Sequence, residues 1–111
     1  MGHSIAGTSW ECFVIENILS CLPVGITPWF YRTASGAEID LVLEINAQSK
    51  FAIEIKRSTL PQISKGFHIG CEDIRATQRF VVYTGIDRFQ IAKDVTAISL
   101  LDMMEEVRNL N

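Results

Sequence analysis

Positive charge is scarce in this sequence. Ten Lys and Arg residues face thirteen Asp and Glu residues, which leaves a formal net charge of -3 at pH 7. Proteins that grip nucleic acid over a wide surface usually show a clear excess of Lys and Arg. The composition therefore excludes a broadly basic nucleic-acid binder. Any contact with DNA has to be local, or has to be assisted by a metal ion or a partner.

Paired cysteines, cysteine metal motifs and long apolar runs are lacking as well. Cys12, Cys21 and Cys71 are odd in number and form no CxxC motif, so neither a disulfide framework nor a zinc knuckle is expected. No apolar run approaches the roughly 20 residues that span a bilayer. We therefore expect a cytoplasmic protein with buried free thiols and no membrane association.

What is present is the composition of an ordinary globular domain. Hydrophobic residues make up 48% of the chain and charged residues 21%, and 111 residues fit one domain with one modest core. We expect residues 1–6 to be a disordered or expression-derived start and residues 7–111 to form a single domain.

Hydrophobic periodicity and turn signals predict the order α-β-β-β-α-β, followed by a β-α extension. The predicted helices cover residues 8–22, 61–74 and 101–110. The predicted strands cover residues 27–33, 38–45, 50–58, 79–85 and 95–100. An antiparallel start followed by a helical crossover implies an α/β fold with a mixed central sheet flanked by helices on both faces.

The two strands at 38–45 and 50–58 bring charged residues together. Strict alternation in the first strand places Ile39 and Leu41 on its apolar face and Asp40 on the other. The turn at 46–49 sets Asp40 across from residue 54, 55 or 56, and Glu54 and Lys56 share one face. Directly opposed side chains have Cβ atoms about 5 Å apart. The hairpin therefore predicts a cluster of two carboxylates and one ammonium group, unless these groups are only salt bridges on a solvated face.

The first helix supplies a third carboxylate. Glu11 falls in the middle of the apolar arc of this helix, whereas Glu16 falls in its polar sector and is the weaker candidate. A carboxylate on an apolar face has to be paired or bound to a metal ion. A helix that packs this face on the sheet would aim Glu11 at the strand residues. The alternative is a core ion pair with Lys56 or Arg32.

Carboxylates that share a site with a few water molecules suit Mg²⁺ or Mn²⁺. The candidate metal ligands are Asp40, Glu54 and Glu11. Lys56 completes the set of candidate catalytic residues, since a lysine beside the ion can orient a water molecule or hold a phosphate. These groups are the minimum that metal-assisted phosphodiester hydrolysis requires.

Asp40 followed by the Glu54-x-Lys56 motif resembles the PD-(D/E)XK nuclease superfamily, which has the restriction-endonuclease-like fold. The stretch GTSWECFVIENIL at 7–19 resembles the first helix of archaeal Holliday-junction resolvases in that superfamily, whose active-site glutamate matches Glu11. Ile39 stands where the name motif has proline. The resemblance implies an α-β-β-β-α-β core and a divalent-metal nuclease site.

A second resemblance covers about residues 7–105. The stretches WECFVIENIL, FYRTASGAEIDLVLE, AIEIKRS, KGFHIGCEDI and RFVVYTG are similar to the C-terminal domain of unknown function of many prokaryotic AAA-type ATPases. The Walker A motif of the ATPase domain, GxxxxGK[ST], does not occur in this sequence. The resemblance implies an AAA-type ATPase domain as a partner, and many relatives of the nuclease fold work as homodimers.

Three further residues are candidate phosphate contacts: Arg32, Lys65 and His68. Lys65 and His68 lie one turn apart on the second predicted helix, and a solvated helix face is the alternative for both. The aromatic residues Trp10, Trp29, Phe30 and Tyr31 lie inside periodic elements, so we expect them in the core and not as stacking platforms for bases.

The function that these residues predict is a divalent-metal-dependent DNA endonuclease domain, normally attached to an AAA-type ATPase. The complete set of four site residues favours this hypothesis. The alternative is a non-catalytic DNA- or protein-binding regulatory module that keeps the nuclease fold, and the acidic charge balance favours it.

Overall fold

The alternating segments of the sequence pair into one six-stranded sheet. The computed structural model describes residues 6–110, and the expectation for residues 1–5 lies outside them. The helices are α1 (Ala6–Leu19), α2 (Lys65–Ile74) and α3 (Leu100–Arg108). The strands are β1 (Thr27–Arg32), β2 (Glu38–Asn46), β3 (Ser49–Ile55), β4 (Gln78–Val82), β5 (Phe89–Ala92) and β6 (Val95–Ile98).

The sheet is mixed, as predicted, and its strand order is β1-β2-β3-β4-β6-β5. The pairs β1/β2, β2/β3 and β5/β6 are antiparallel, whereas β3/β4 and β4/β6 are parallel. The parallel strands lie at the centre and are buried, as is usual for strands covered on both faces. The antiparallel hairpin β2-β3 thus joins a parallel core at β3.

Helices cover both faces of the sheet. On one face α1 and α3 supply Val14, Ile18, Met103 and Val107 to the larger core cluster. On the other face α2 supplies Phe67 and Cys71 to a smaller cluster. Both sets recur at the three- to four-residue spacing of one helix face, which is why these segments bury one stripe. Among the described residues, no helix is long and apolar enough to cross a membrane.

Helix α2 begins at Lys65, four residues after the predicted start at Pro61. Ser64 caps it: its backbone is extended and its side chain accepts a hydrogen bond from the backbone N–H of Phe67 at 3.1 Å. A serine cap satisfies one of the free N–H groups of the first turn. This local bond fixes the start of the helix, and residues 56–64 form an irregular connection instead.

Strand β5 is the one strand that the sequence pattern missed. It is only four residues long, and it turns into β6 at Asp94, whose φ of 63° lies in the left-handed region. Short strands at a sheet edge carry too few residues for alternation to be visible. The predicted β-α extension is therefore a β-β-α unit, with β5 antiparallel to β6.

Two predictions about side-chain burial were also wrong. Hydrophobic spacing predicts Leu101, Met104 and Val107 or Arg108 on the inner side of the last helix. Val107 does face the core, but Leu101 is exposed, and of the two methionines Met103 is the buried one. The cap at Ser99 sets the phase of this helix. Of the three cysteines expected to be buried, only Cys71 is, while Cys12 is exposed.

A glycine sets the distance between α2 and the turn before β2. A Cβ atom added at Gly66 would overlap the backbone oxygen of Gly36, which cannot rotate away. We predict that Gly66→Ala lowers the free energy of unfolding by about 1–3 kcal/mol, although alanine favours a helix over glycine by up to about 1 kcal/mol. Urea unfolding measures the change.

The exposed His68 lies on the same helix, so His68→Ala is the matched control and is expected to stay within about 0.5 kcal/mol of the wild type. A Gly66→Ala variant as stable as the wild type would contradict this packing constraint.

Candidate active site

A β-bulge shapes the site. Trp29 pairs with Val42 and Tyr31 pairs with Ile39, so the single residue Phe30 of β1 lies opposite two residues of β2, Asp40 and Leu41. A bulge shifts the alternation of the strand and re-aims the side chains at that point. The predicted strict alternation of β2 therefore fails at its start.

The position of Ile39 shows the shift. It packs with Val42 in the cluster under α2, whereas Leu41 and Leu43 pack under α1 and α3. Without the bulge, Ile39 and Val42 would lie on opposite faces of the sheet. The prediction that Ile39 shares a face with Leu41 was wrong for this reason.

Asp40 lies where the β2–β3 ladder ends. The last regular pair is Leu41 with Ile53, and the Oδ2 atom of Asp40 accepts a hydrogen bond from the backbone N–H of Ile55 at 2.8 Å. A side-chain oxygen thus takes the place of a backbone carbonyl. The bond holds Asp40 across from the Glu54-x-Lys56 segment, where the hairpin register predicted it.

Glu54 is the only charged residue in the buried class among the residues described. Its Oε2 atom lies 3.2 Å from the Nζ of Lys56, and its Oε1 atom accepts a hydrogen bond from the backbone N–H of Ser64 at 3.3 Å. The side chain of Lys56 is 38% exposed. Both oxygens of this buried carboxylate are therefore compensated.

Glu11 approaches the same place from the opposite side. It is half-buried on α1, while Glu16 is exposed. A cavity of about 210 Å³ lies between α1, the start of β2 and the end of β3. The structure brings all four predicted residues around this cavity, which we call the carboxylate cavity; its lining consists of Glu11, Glu38, Asp40, Glu54, Ile55, Lys56 and Ser64.

The surroundings of Asp40 in this cavity disfavour its charge. Burial raises the pKa of Asp40 to about 6, the hydrogen bond from Ile55 opposes this rise, and the charges of Glu11, Glu54 and Glu38 add to it. Lys56 supplies the cation nearest to Glu54. A group of carboxylates that outnumbers its cations gains stability from any added positive charge.

The donor set fits a hard divalent cation that keeps part of its water. Within residues 6–110, no three acidic, His or Cys side chains are poised to hold one metal ion together. Mg²⁺ does not require such a cage, since it usually binds one or two carboxylates and several water molecules. Asp40 with Glu54 or Glu11 can supply those carboxylates, and the second oxygen of Asp40 makes no hydrogen bond to the described part of the chain.

The three candidate phosphate contacts are placed differently. Arg32 lines a neighbouring cavity of about 330 Å³ together with Glu11 and Asp40, and it forms an ion pair of 3.1 Å with Glu38. The alternative pairing of Arg32 with Glu11 is not seen. Lys65 and His68 are exposed on α2 and line neither of these cavities.

Sequence reasoning missed Ser64 and misjudged Phe30. The predicted helix 61–74 places Ser64 in its interior, although a serine just before the apolar-periodic part of a helix is a signal for a cap. Phe30 was expected in the core, but 68% of it is exposed. Its neighbours Trp29 and Tyr31 pack on the α2 side, so the period-two pattern points Phe30 to the other side, where the sheet edge leaves it open.

The raised pKa of Asp40 makes stability depend on pH. The folded protein holds the proton of Asp40 up to about pH 6, whereas the unfolded chain releases it near pH 4. The contribution of Asp40 to the free energy of unfolding therefore rises as the pH falls from about 6 to 4. Asp40→Asn keeps an acceptor for Ile55 and removes the charge. We expect it to be more stable than the wild type by on the order of 1–2 kcal/mol at pH 8, and this gain to vanish near pH 4.

Urea unfolding at several pH values measures this gain, and Asp87→Asn at an exposed loop is the control for the loss of one negative charge. A gain that is the same at pH 4 and pH 8 would refute the assignment to Asp40.

Comparison with known proteins places the chain in a family. Over 92 residues it is 33% identical to an uncharacterized protein of Mycobacterium tuberculosis and 33% identical to an uncharacterized protein of Mycobacterium bovis. Each match covers 83% of this chain and 20% of the relative, so the chain spans about a fifth of the length of these curated relatives. No solved structure matches the chain. Residues 6–103 match a family described as a domain of unknown function (DUF4143), and the chain belongs to that family.

Proposed function

We propose that this domain is a divalent-metal-dependent DNA endonuclease of the PD-(D/E)XK type. The observation that carries the proposal is the carboxylate cavity, where Glu11 from α1, Asp40 from β2, Glu54 from β3 and Lys56, directly after β3, meet. The resemblance of the Asp40 and Glu54-x-Lys56 motifs to that superfamily supports it. The mixed sheet with helices on both faces is compatible with a restriction-endonuclease-like core.

In this proposal Asp40 and Glu54 hold a Mg²⁺ or Mn²⁺ ion, and Glu11 completes or orients its shell. When bound, the ion polarises a phosphoryl oxygen and lowers the pKa of a coordinated water molecule. Glu54 keeps its hydrogen bond from Ser64, which fixes the direction of the carboxylate. Hydrogen bonds that orient a metal-binding side chain in this way increase the affinity of the site for the ion.

In this proposal Lys56 orients the attacking water molecule or binds the phosphate. Its side chain is partly exposed while its ammonium group contacts Glu54, so Lys56 can exchange this contact for a phosphate oxygen or an attacking water molecule. Arg32, on the neighbouring cavity, is the second cation within reach of a strand that enters from the β1 side. These two cations supply the local positive charge that a net-acidic chain needs in order to bind DNA.

We further propose that the domain works as part of a longer protein. The chain covers only a fifth of the length of its mycobacterial relatives. Its sequence resembles the domain that follows an AAA-type ATPase in many prokaryotic proteins, and such an ATPase would deliver DNA to the site or regulate access to it. We also propose a cytoplasmic location for the protein. We further propose a homodimer, as in many nucleases of this fold.

One observation favours a non-catalytic module as the second candidate. Both oxygens of Glu54 already have partners, Lys56 and Ser64, and the carboxylates of the described residues do not form a ready cage for an ion. A carboxylate that already forms an ion pair within the protein can have a purely structural role. Such a module would bind DNA or a protein partner and regulate the attached ATPase without cutting, and ion binding separates the two candidates.

The first test is binding of Mn²⁺ to the purified chain. An ion that binds only the folded protein stabilises it, by about 2.7 kcal/mol at a concentration of 100 times Kd. We expect Mn²⁺ to raise the melting temperature of the wild type at pH 7.5 and to have little effect on Asp40→Asn or Glu54→Gln. Glu16→Gln, on the exposed side of α1, is expected to respond like the wild type. No response of the wild type would favour the non-catalytic module.

The second test is cleavage of labelled DNA. We expect the wild type to nick DNA in the presence of Mg²⁺ or Mn²⁺ and to be inactive with EDTA. Glu54→Gln and Lys56→Ala should each lower the rate at least about 100-fold, because they remove an ion ligand and the group that orients the nucleophile. Lys93→Ala, at an exposed turn far along the chain, is the control for the loss of one lysine. Duplex, branched and single-stranded DNA left intact under all these conditions would rule out catalysis by this domain.

A further inference from the structure

The carboxylate cavity opens into a longer groove. Glu11, Glu38 and Asp40 line both this cavity and the neighbouring cavity of about 330 Å³. That second cavity continues into a third of about 220 Å³, because Ile15, Phe30 and Asp40 line both. The three form one groove between α1 and the β1–β2 edge, which we call the α1–β1 groove. Asp40 lies at its middle.

The two ends of the α1–β1 groove differ in chemical character. The end at Lys56 and Ser64 is polar and charged. The end beyond Asp40 is apolar, and its lining consists of Ile15, Leu19, Pro28, Trp29, Phe30 and Leu41. A ligand that fills the whole groove therefore has a charged group and a flat or apolar group a short distance apart. A nucleotide has this structure.

Phe30 presents an aromatic surface on the wall of this groove. It is 68% exposed although it lies inside a strand, and β1 pairs with no second strand among the described residues. Natural proteins usually cover open sheet edges or place charged residues on them. The bulge places Phe30 opposite Asp40 and Leu41, and Phe30 lines two cavities together with Asp40, the proposed ion ligand on β2.

We propose that the α1–β1 groove binds a DNA strand with unpaired bases, and that one base stacks on Phe30 while the adjoining phosphate lies at Asp40, Glu54 and Lys56. This inference rests on the proposed nuclease function and names its substrate class. Aromatic side chains hold single strands in this way because every base has a face that can stack, whatever the sequence. A base inside a duplex is already stacked and paired, so it cannot cover Phe30 without being flipped out.

The charges of the groove fit such a ligand only with a divalent ion. Glu11, Glu38 and Asp40 repel a phosphate, so the ion has to be present before the strand binds. Arg32 then assists, since its ion pair with Glu38 is exposed to solvent and can exchange for a phosphate oxygen. Binding of the strand therefore requires the ion. Phe30 adds to the binding affinity only through its contact with a base.

The test compares three labelled probes of equal length: a single-stranded DNA, the same strand in a blunt duplex, and a single strand without bases. Fluorescence anisotropy with Ca²⁺ in place of Mg²⁺ measures affinity, and cleavage with Mg²⁺ or Mn²⁺ is measured separately. We expect the wild type to prefer the single strand. Phe30→Ala should weaken single-strand binding about tenfold and leave the baseless strand unchanged, and Phe30→Trp should restore the preference.

Phe89 is the matched control, because it is also an exposed phenylalanine on an edge strand but lies at the opposite edge of the sheet. Phe89→Ala is expected to bind all probes like the wild type. Equal affinity for single strand and duplex, or an equal loss for the baseless strand in Phe30→Ala, would overturn the inference while the nuclease proposal stands.

A Phe30→Ala variant with changed self-association and unchanged DNA affinity would also overturn the inference, because it would assign the ring to an interface between copies of the chain. Single-strand binding that depends on Phe30 without any cleavage supports the groove and refutes only the catalytic proposal.

Discussion

The hydrogen bond from the backbone N–H of Ile55 to the carboxylate of Asp40 is the interaction on which the site depends. It ends the β2–β3 ladder with a side chain in place of a carbonyl group, and it holds a charged group half inside the protein. The bulge opposite Phe30 turns Asp40 to this position. Without these two features the carboxylate would follow the regular alternation of β2, away from Glu11 on α1.

The sequence was sufficient for the hairpin and for the meeting of Asp40 with the Glu54-x-Lys56 segment, because side-chain alternation and a short turn determine both. It was also sufficient for the position of Glu11, since a helix that packs its apolar face on the sheet aims this residue at the strands. These inferences use periods of two and 3.6 residues, which a single chain displays directly. The mixed sheet with helices on two faces followed from the same periods.

The remaining features depend on contacts that periodicity does not encode. The bulge in β2 arises from pairing with β1, so the face of Ile39 could not be read from β2 alone. The exposure of Phe30 depends on which strand lies at the edge of the sheet. The start of α2 is fixed by one hydrogen bond of Ser64, whereas the sequence pattern predicts a start at Pro61.

Ser64 joins two parts of the molecule that are usually independent. Its side chain begins α2, and its backbone N–H binds the buried carboxylate of Glu54. A change in the charge around Glu54 would therefore act on the first turn of a helix that packs against the β1–β2 turn at Gly36. Whatever neutralises the carboxylates would also alter how firmly the irregular connection 56–64 is held. In this fold, the proposed chemistry of the carboxylate cavity and the start of the helix that borders it share one residue.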